Sequence, residues 1–310
     1  MVVDKARRDW NSQGITTVYT MPETVHQAEI EVNLHHKREL SLRQRHYFIL
    51  SPAHPLESVS ELRGRYPATS DLIAFGGVKL FVNGCAHDGY GHQLNDVKWP
   101  QEELNEVVLR AHLDGLQVWM HSLNSDGVRR AAVAVEEALK VRPTAHRHRI
   151  EHGGDYLDLA DAAWLRRLGI RLVTTPQFLH STSGEVDATH APWRSLIDGG
   201  FRLIGGTDST GTVPTSKSVL ANIATAVTRL NGHGQVVGPN ERATGTEALH
   251  MFTDWAAEGG FEENSKGVIR KGALGDLALL NGDPTATVCH VSEINVEATI
   301  LGGEVVYEKD

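Results

Sequence analysis

Seven short runs of β-branched or apolar residues, at 14–21, 43–50, 76–82, 116–121, 148–152, 170–175 and 201–206, alternate with longer charged, Ala/Leu-rich stretches. Few architectures accommodate that rhythm. Helix-like segments at 101–113, 126–141, 159–168 and 216–230 fall between the runs, as expected when helices cover a mostly parallel sheet. No G-x-G-x-x-G follows an early strand, so the pattern favours a (β/α)8 TIM-type barrel lacking its first strand over an open dinucleotide-binding sheet. P-loop, G-x-S-x-G and paired C-x-x-C signatures are also missing, which removes the usual marks of phosphoryl transfer, serine hydrolysis and zinc ribbons.

The character changes after Lys266. Residues 267–281 and 297–307 read as strands joined by glycine turns, giving a barrel over 1–266 and a small C-terminal β segment, of sandwich type, over 267–310. Polar, Gly- and Pro-containing stretches at 183–192 and 232–242 read as long loops that shape a substrate pocket.

With 310 residues, 40% of them apolar, the chain can bury the core of one large barrel. Its formal charge of -9, with no basic stripe to offset it, argues against nucleic acid and anionic membranes as partners. Residues 1–10 are charged, and no stretch approaches the roughly 18–20 apolar residues of a membrane span, so a cytoplasmic location is expected. Cys85 and Cys289 stand far apart, which suggests neither a disulfide framework nor a cysteine zinc site.

Histidine is the compositional outlier, with 17 residues against two cysteines. His35, His36, His112, His146, His148, His233 and His250 lie among polar residues and are expected to be solvated or structural. His121, His152 and Asp208 instead stand at the ends of strand-like runs, where a barrel of this kind directs side chains into its active-site mouth. Taken singly, each reads as a strand or turn cap. Together, two imidazoles and a hard carboxylate suit a hydrolytic metal centre with an open position for water. Lys79 should face the barrel interior, opposite Val78 and Leu80. It could become carbamylated and bridge two metals, or pair with Asp208 or another inward carboxylate; both readings stay open.

At these residues the chain resembles the amidohydrolase superfamily, specifically amidohydrolase family 3, which includes enzymes similar to N-substituted formamide deformylase. Gly14-Ile-Thr-Thr-Val-Tyr19 resembles the family's second barrel strand, Val78-Lys-Leu-Phe-Val-Asn-Gly84 its fourth and Gln117-Val-Trp-Met-His-Ser122 its fifth. Arg149-Ile-Glu-His-Gly153, Thr174-Thr-Pro-Gln177 and Gly206-Thr-Asp-Ser209 are similar to the sixth, seventh and eighth. Lys271 to Pro284 and Gly302 to Tyr307 resemble the β-sandwich return after the barrel.

The resemblance implies that His121 and His152 are metal ligands, that Asp208 is both ligand and proton shuttle, and that Lys79 is the bridging carbamate where one is formed. Gln177 and Asn83 are the substrate contacts it suggests. It further implies a divalent metal, one or two ions with zinc as the default and iron, manganese or nickel as alternatives, and a small-molecule substrate. The expected reaction is hydrolysis of a non-peptide, amide-type C–N bond by a metal-activated water. The rivals are a non-catalytic remnant of such an enzyme, or a deaminase or lactonase of the same superfamily.

The departures are specific. No His-x-His precedes Gly14, and the one such spacing, His146-Arg147-His148, lies before the sixth-strand motif. Asn83 stands where many relatives carry Asp, and His121-Ser-Leu-Asn-Ser-Asp126 differs from the usual His-Ala-x-Gly-Asp. An N-terminally truncated barrel is therefore expected, with open sheet edges that favour a homo-oligomer. Specificity should lie in the loops at 85–97 and 178–193.

Overall fold

A computed structural model describes residues 2–22, 24–50, 55–56, 59, 62–67, 70–84, 99–182, 190–209, 215–285 and 293–309, with side chains from residue 5 onward. The loop expected at 85–97, most of that at 183–192, Cys85 and Cys289 lie outside the described residues.

Seven parallel strands form one curled half-barrel sheet in chain order: β1 (Thr17–Thr20), β2 (Arg43–Ile49), β3 (Ile73–Phe81), β4 (Gln117–His121), β5 (Arg149–Glu151), β6 (Arg171–Thr174) and β7 (Ile204–Gly205). The main covering helices are α1 (Val2–Asn11), α2 (Val25–His36), α3 (Gln101–Leu113), α4 (Ser125–Val141), α5 (Gly153–Tyr156), α6 (Ala162–Arg167), α7 (Trp193–Asp198), α8 (Val219–Thr228), α9 (Gly245–Met251) and α10 (Asp254–Gly259). The architecture is thus the expected TIM-like one. Among the described strands, β1 pairs with β2 and β7 with β6, so the sheet has two ends.

Helix α4 shows how sequence sets the outer layer. Asn124 caps its start by accepting from the Gly127 amide at 2.8 Å, and Val128, Ala131, Ala132, Val135 and Ala138 repeat at three- and four-residue spacing on its buried face. Leu104, Val108 and Ala111 do the same on α3. Against these faces pack Val78, Leu80, Val118, Met120, Ile150 and Leu172, the outward residues of β3 to β6. The alternate residues point inside, where the Tyr47 and Trp119 rings stack at 3.5 Å and the Arg149 guanidinium lies 3.8 Å above Trp119.

Strand β3 begins at Ile73, three residues before the run that announces it, and Gly76 and Gly77 serve close approach within it. A Cβ on Gly76 would enter the Tyr47 ring, and one on Gly77 would strike the Gln117 carbonyl. The run at 201–206 contracts to Ile204–Gly205. The helix expected at 216–230 spans Val219–Thr228, capped by Ser218 and ended by Arg229 at φ 60°.

A three-stranded antiparallel sheet follows, built from β8 (Leu277–Leu280), β9 (Val296–Leu301) and β10 (Glu304–Glu308). The strand read from 267 onward starts only at Leu277, since Gly267 and Gly272 adopt φ of 85° and 90° and a turn from Arg270 to Ala273 interrupts the extended chain. Asp276, just before β8, holds this sheet to the barrel through two bonds from Arg43, at 2.6 and 2.8 Å. No described helix is long and apolar enough to cross a membrane.

Candidate active site

The parallel register places Phe81, His121 and Glu151 side by side at the C-terminal ends of β3, β4 and β5. His152 is the next residue. Its backbone turns into the left-handed region, φ 64°, as the chain leaves β5 for α5, and Asp208 does likewise after β7 at φ 42°. Such conformations cost a non-glycine residue about 1–3 kcal/mol and gather at functional sites.

These turns bring three of the expected residues together. The His121 and His152 rings meet edge to face with centroids 4.8 Å apart, and His152 Nε2 lies 3.9 Å from Asp208 Oδ2. His121 and His152 are buried, while Asp208 keeps 22% of its side chain exposed. Phe178 stacks on the opposite face of this arrangement, its ring 5.0 Å from His152 and 14° from parallel.

Hydrogen bonding orients the His121 ring. Nε2 lies 2.9 Å from the Gly84 carbonyl, which can only accept, so Nε2 carries a proton. This is the arrangement in which an imidazole ligates a metal through one nitrogen while a backbone carbonyl orients the other. Two ligands of a tetrahedral ion, each about 2.0–2.1 Å away, stand roughly 3.3 Å apart; the His152–Asp208 separation is wider by about half an ångström. No three His, Cys, Asp or Glu side chains among the described residues are already closed around an ion position. Two imidazoles and a carboxylate are donor types that suit a divalent cation.

Lys79 is buried and inward, as its strand period implies, with Val78 and Leu80 in the outer core. Its ammonium lies 5.3 Å from the Phe81 ring, and Phe81 in turn packs 4.9 Å from His121. Asn83 is buried beside the same layer; its Oδ1 accepts from the Leu123 amide at 2.9 Å, and its carboxamide occupies the space that a side chain at Gly127 would need.

Gln177 is placed differently from the expected substrate contact. Its Nε2 donates to the Ala221 carbonyl and to Thr225 Oγ1, and its Oε1 accepts from Thr215. Both donors and the acceptor are engaged with α8 and the segment before it, which makes Gln177 a tie between β6 and α8. Phe178, the neighbour that touches His152, was not singled out from sequence; its position two residues past the Thr-Thr-Pro turn was the available signal.

The histidines expected to be solvated or structural divide. His250 is partly exposed and pairs with Asp254 at 2.5 Å. His112 and His148 are buried and, with His146, form a cluster beside the N-terminal ends of β4 and β5. His148 Nδ1 accepts from the Val118 amide at 3.1 Å, so its Nε2–H donates to His112 Nδ1 at 2.9 Å, and His112 Nε2–H donates to the Arg142 carbonyl at 2.8 Å. His146 Nε2–H donates to the Leu168 carbonyl while its Nδ1 accepts from the His148 amide. Every ring is thereby fixed as neutral. Burial pushes His146 down to about 4 and His148 well below the usual imidazole range.

Three comparisons bear on what this arrangement is. The model of a family described as the amidohydrolase family matches residues 1–307. The chain is 26% identical over 281 residues to YtcJ, a Bacillus subtilis (strain 168) protein named as an amidohydrolase, covering 82% of this chain and 50% of that one. It is 25% identical over 260 residues to the N-substituted formamide deformylase of Arthrobacter pascens, covering 77% and 47%. The chain thus spans about half the length of the curated relatives it matches. In fold it resembles an uncharacterized metal-dependent hydrolase from Pyrococcus furiosus, with a TM-score of 0.70 at 24% identity over 87% of this chain and 57% of the other.

Proposed function

The chain belongs to the amidohydrolase family, and on that premise we propose that it serves metal-dependent hydrolysis of a non-peptide, amide-type C–N bond in a small-molecule substrate. The convergence of His121, His152 and Asp208, with the last two in left-handed backbone, is the observation that supports this most directly. In this reading residues 1–266 carry the site, and 267–310 form the appended β segment.

His121 would hold the ion through Nδ1, its ring oriented by Gly84, and His152 would hold it through Nε2 beside Asp208. A divalent cation there, zinc by default, supplies Lewis acidity and lowers the pKa of water towards neutrality. Asp208 Oδ2 takes the proton from the attacking water and returns it to the leaving nitrogen. Its partial exposure lets it reach both, and its left-handed backbone aims it inward from the end of β7. Lys79, buried two residues before Phe81 on β3, would contribute charge near the ion, either as ammonium or as a carbamate.

Elemental analysis of the purified chain after incubation with zinc, beside His121→Ala and His152→Ala, tests the ligand assignment. About one or two ions in the wild type and fewer in each variant are expected. A panel of N-formyl and N-acyl amines, cyclic amides, aminoheterocycles and lactones then separates the reaction classes by product: amine and acid, ammonia, or hydroxy acid. An ion content unaltered in both variants removes these ligands, and a chain that turns over nothing while holding the ion favours the non-catalytic reading.

A further inference from the structure

Asp155 is buried three residues beyond His152 and is no part of the donor set above. Its carboxylate gathers donors from two other segments: the Thr174 hydroxyl, the Thr175 amide at 2.9 Å and the Trp193 indole N–H at 3.3 Å. Its own backbone is engaged as well. The Asp155 amide donates to the His152 carbonyl at 2.9 Å, and the Asp155 carbonyl accepts from the Ala191 amide. Arg229, buried 4.4 Å above the Trp193 ring, donates to the Ala191 carbonyl and closes the far side.

Two paths therefore run from this one residue to His152. The first is through the backbone of α5, whose opening turn, Asp155 and Tyr156 amides to the His152 carbonyl, holds His152 in its left-handed conformation. The second passes through β6. Thr175, fixed by the Asp155 carboxylate, accepts from the Phe178 amide at 2.8 Å, and Phe178 lies flat against the His152 imidazole. Rotation about the Cβ–Cγ bond would drive an edge of the imidazole into the ring stacked on its face, so the height and tilt of Phe178 limit where Nε2 points.

We propose that Asp155 is a positioning residue for His152: by anchoring Thr175 it holds Phe178 against the imidazole and keeps Nε2 directed at Asp208. A carboxylate suits this place because it offers several acceptor sites to three donors from two elements, which a neutral side chain of the same size does not. Its role as a determinant of metal affinity rests on the proposed function; its role in orienting the ring does not.

The first readout is the His152 ring signal in the metal-free chain, by NMR with histidine labelled at the ring carbon and assigned by its loss in His152→Ala. Stacking on Phe178 should displace the signal upfield, and Phe178→Leu should return it to the undisplaced position. Asp155→Ala should move it the same way, whereas Asp155→Asn, whose oxygen still accepts from Thr175, should retain most of the displacement. A signal unmoved in Asp155→Ala overturns the proposal, even if the variant melts earlier. Should that variant not fold, Asp155→Glu, which keeps the charge but displaces the acceptor, gives the same decision. The second readout is cobalt(II) titration followed by visible absorption, where Asp155→Ala should bind about 10–100-fold more weakly with an altered band. A wild-type chain that takes up no cobalt(II) while the ring signal behaves as expected would refute the metal reading and leave the positioning role standing.

Discussion

His152 Nε2 faces Asp208 Oδ2 across 3.9 Å, and neither residue reaches that position with ordinary right-handed or extended backbone: their φ angles are 64° and 42°. The juxtaposition is bought with conformational strain on both sides, which a cap serving stability alone would not call for.

That strain is measurable. His152→Gly removes the ring and relieves the backbone, while His152→Ala removes the ring and keeps the strain. By urea denaturation of the metal-free chain, the glycine variant should be more stable than the alanine variant by about 1 kcal/mol. Equal stabilities would show that the left-handed turn is not strained at this site.

Asp208→Asn keeps the shape of the side chain but cannot take a proton. With substrate identified, kcat should fall by about 100-fold or more while zinc content falls less than in His152→Ala. Turnover within a few fold of wild type would exclude Asp208 as the proton carrier.

Stability should depend on pH in two separable windows. Burial holds His46 and His146 down at about 4, and His148 lower than its usual value. Between about pH 6.5 and 4 the unfolded chain therefore binds protons that the folded chain refuses, and stability falls as pH drops through that range. For a single such histidine the full loss is on the order of 3 kcal/mol. Glu247 beside Arg194 and Glu263 beside Arg147 are held at about 2, so their contribution is lost only as pH falls from about 4.5 towards 2. Urea midpoints recorded against pH should show a shallower slope above pH 4.5 in His146→Asn; a slope equal to that of the wild type would clear the histidine cluster as its cause.

Arg43 is nearly inaccessible and joins Asp276 of the C-terminal sheet to Asp71 ahead of β3. Asp276→Ala removes two of the three bonds to the buried guanidinium and leaves it only the exposed Asp71, so it should cost about 2 kcal/mol. Replacing both partners, Arg43→Met with Asp276→Leu, should cost clearly less than the two single changes added together. A thermodynamic cycle by chemical denaturation checks this, and additive losses would mean that the pair does not couple the two sheets.

Much of the architecture follows from local pattern. Strands β3, β4 and β6 are largely buried, so their apolar residues stand out, and the small and aliphatic residues of α3 and α4 repeat at helical spacing because one face of each meets the sheet. The strand-end positions of His121, His152 and Asp208 were legible for the same reason, since parallel strands in a curled sheet direct their C-terminal ends to one side. What only the tertiary structure decided is which side chains meet there. Gln177, read as a substrate contact, is turned towards α8 by Thr215, Ala221 and Thr225, while its neighbour Phe178 reaches His152. Gly76 and Gly77 open the run that marks β3, but why glycine stands there is tertiary: Tyr47 and the Gln117 backbone come close enough to exclude a Cβ. His112 and His148, set among polar residues in sequence, are buried by packing between α3, β4 and the approach to β5. In each case the partner lies 26 or more residues away in the sequence. Periodicity reports which face of an element is buried; it carries no record of which distant segment covers that face.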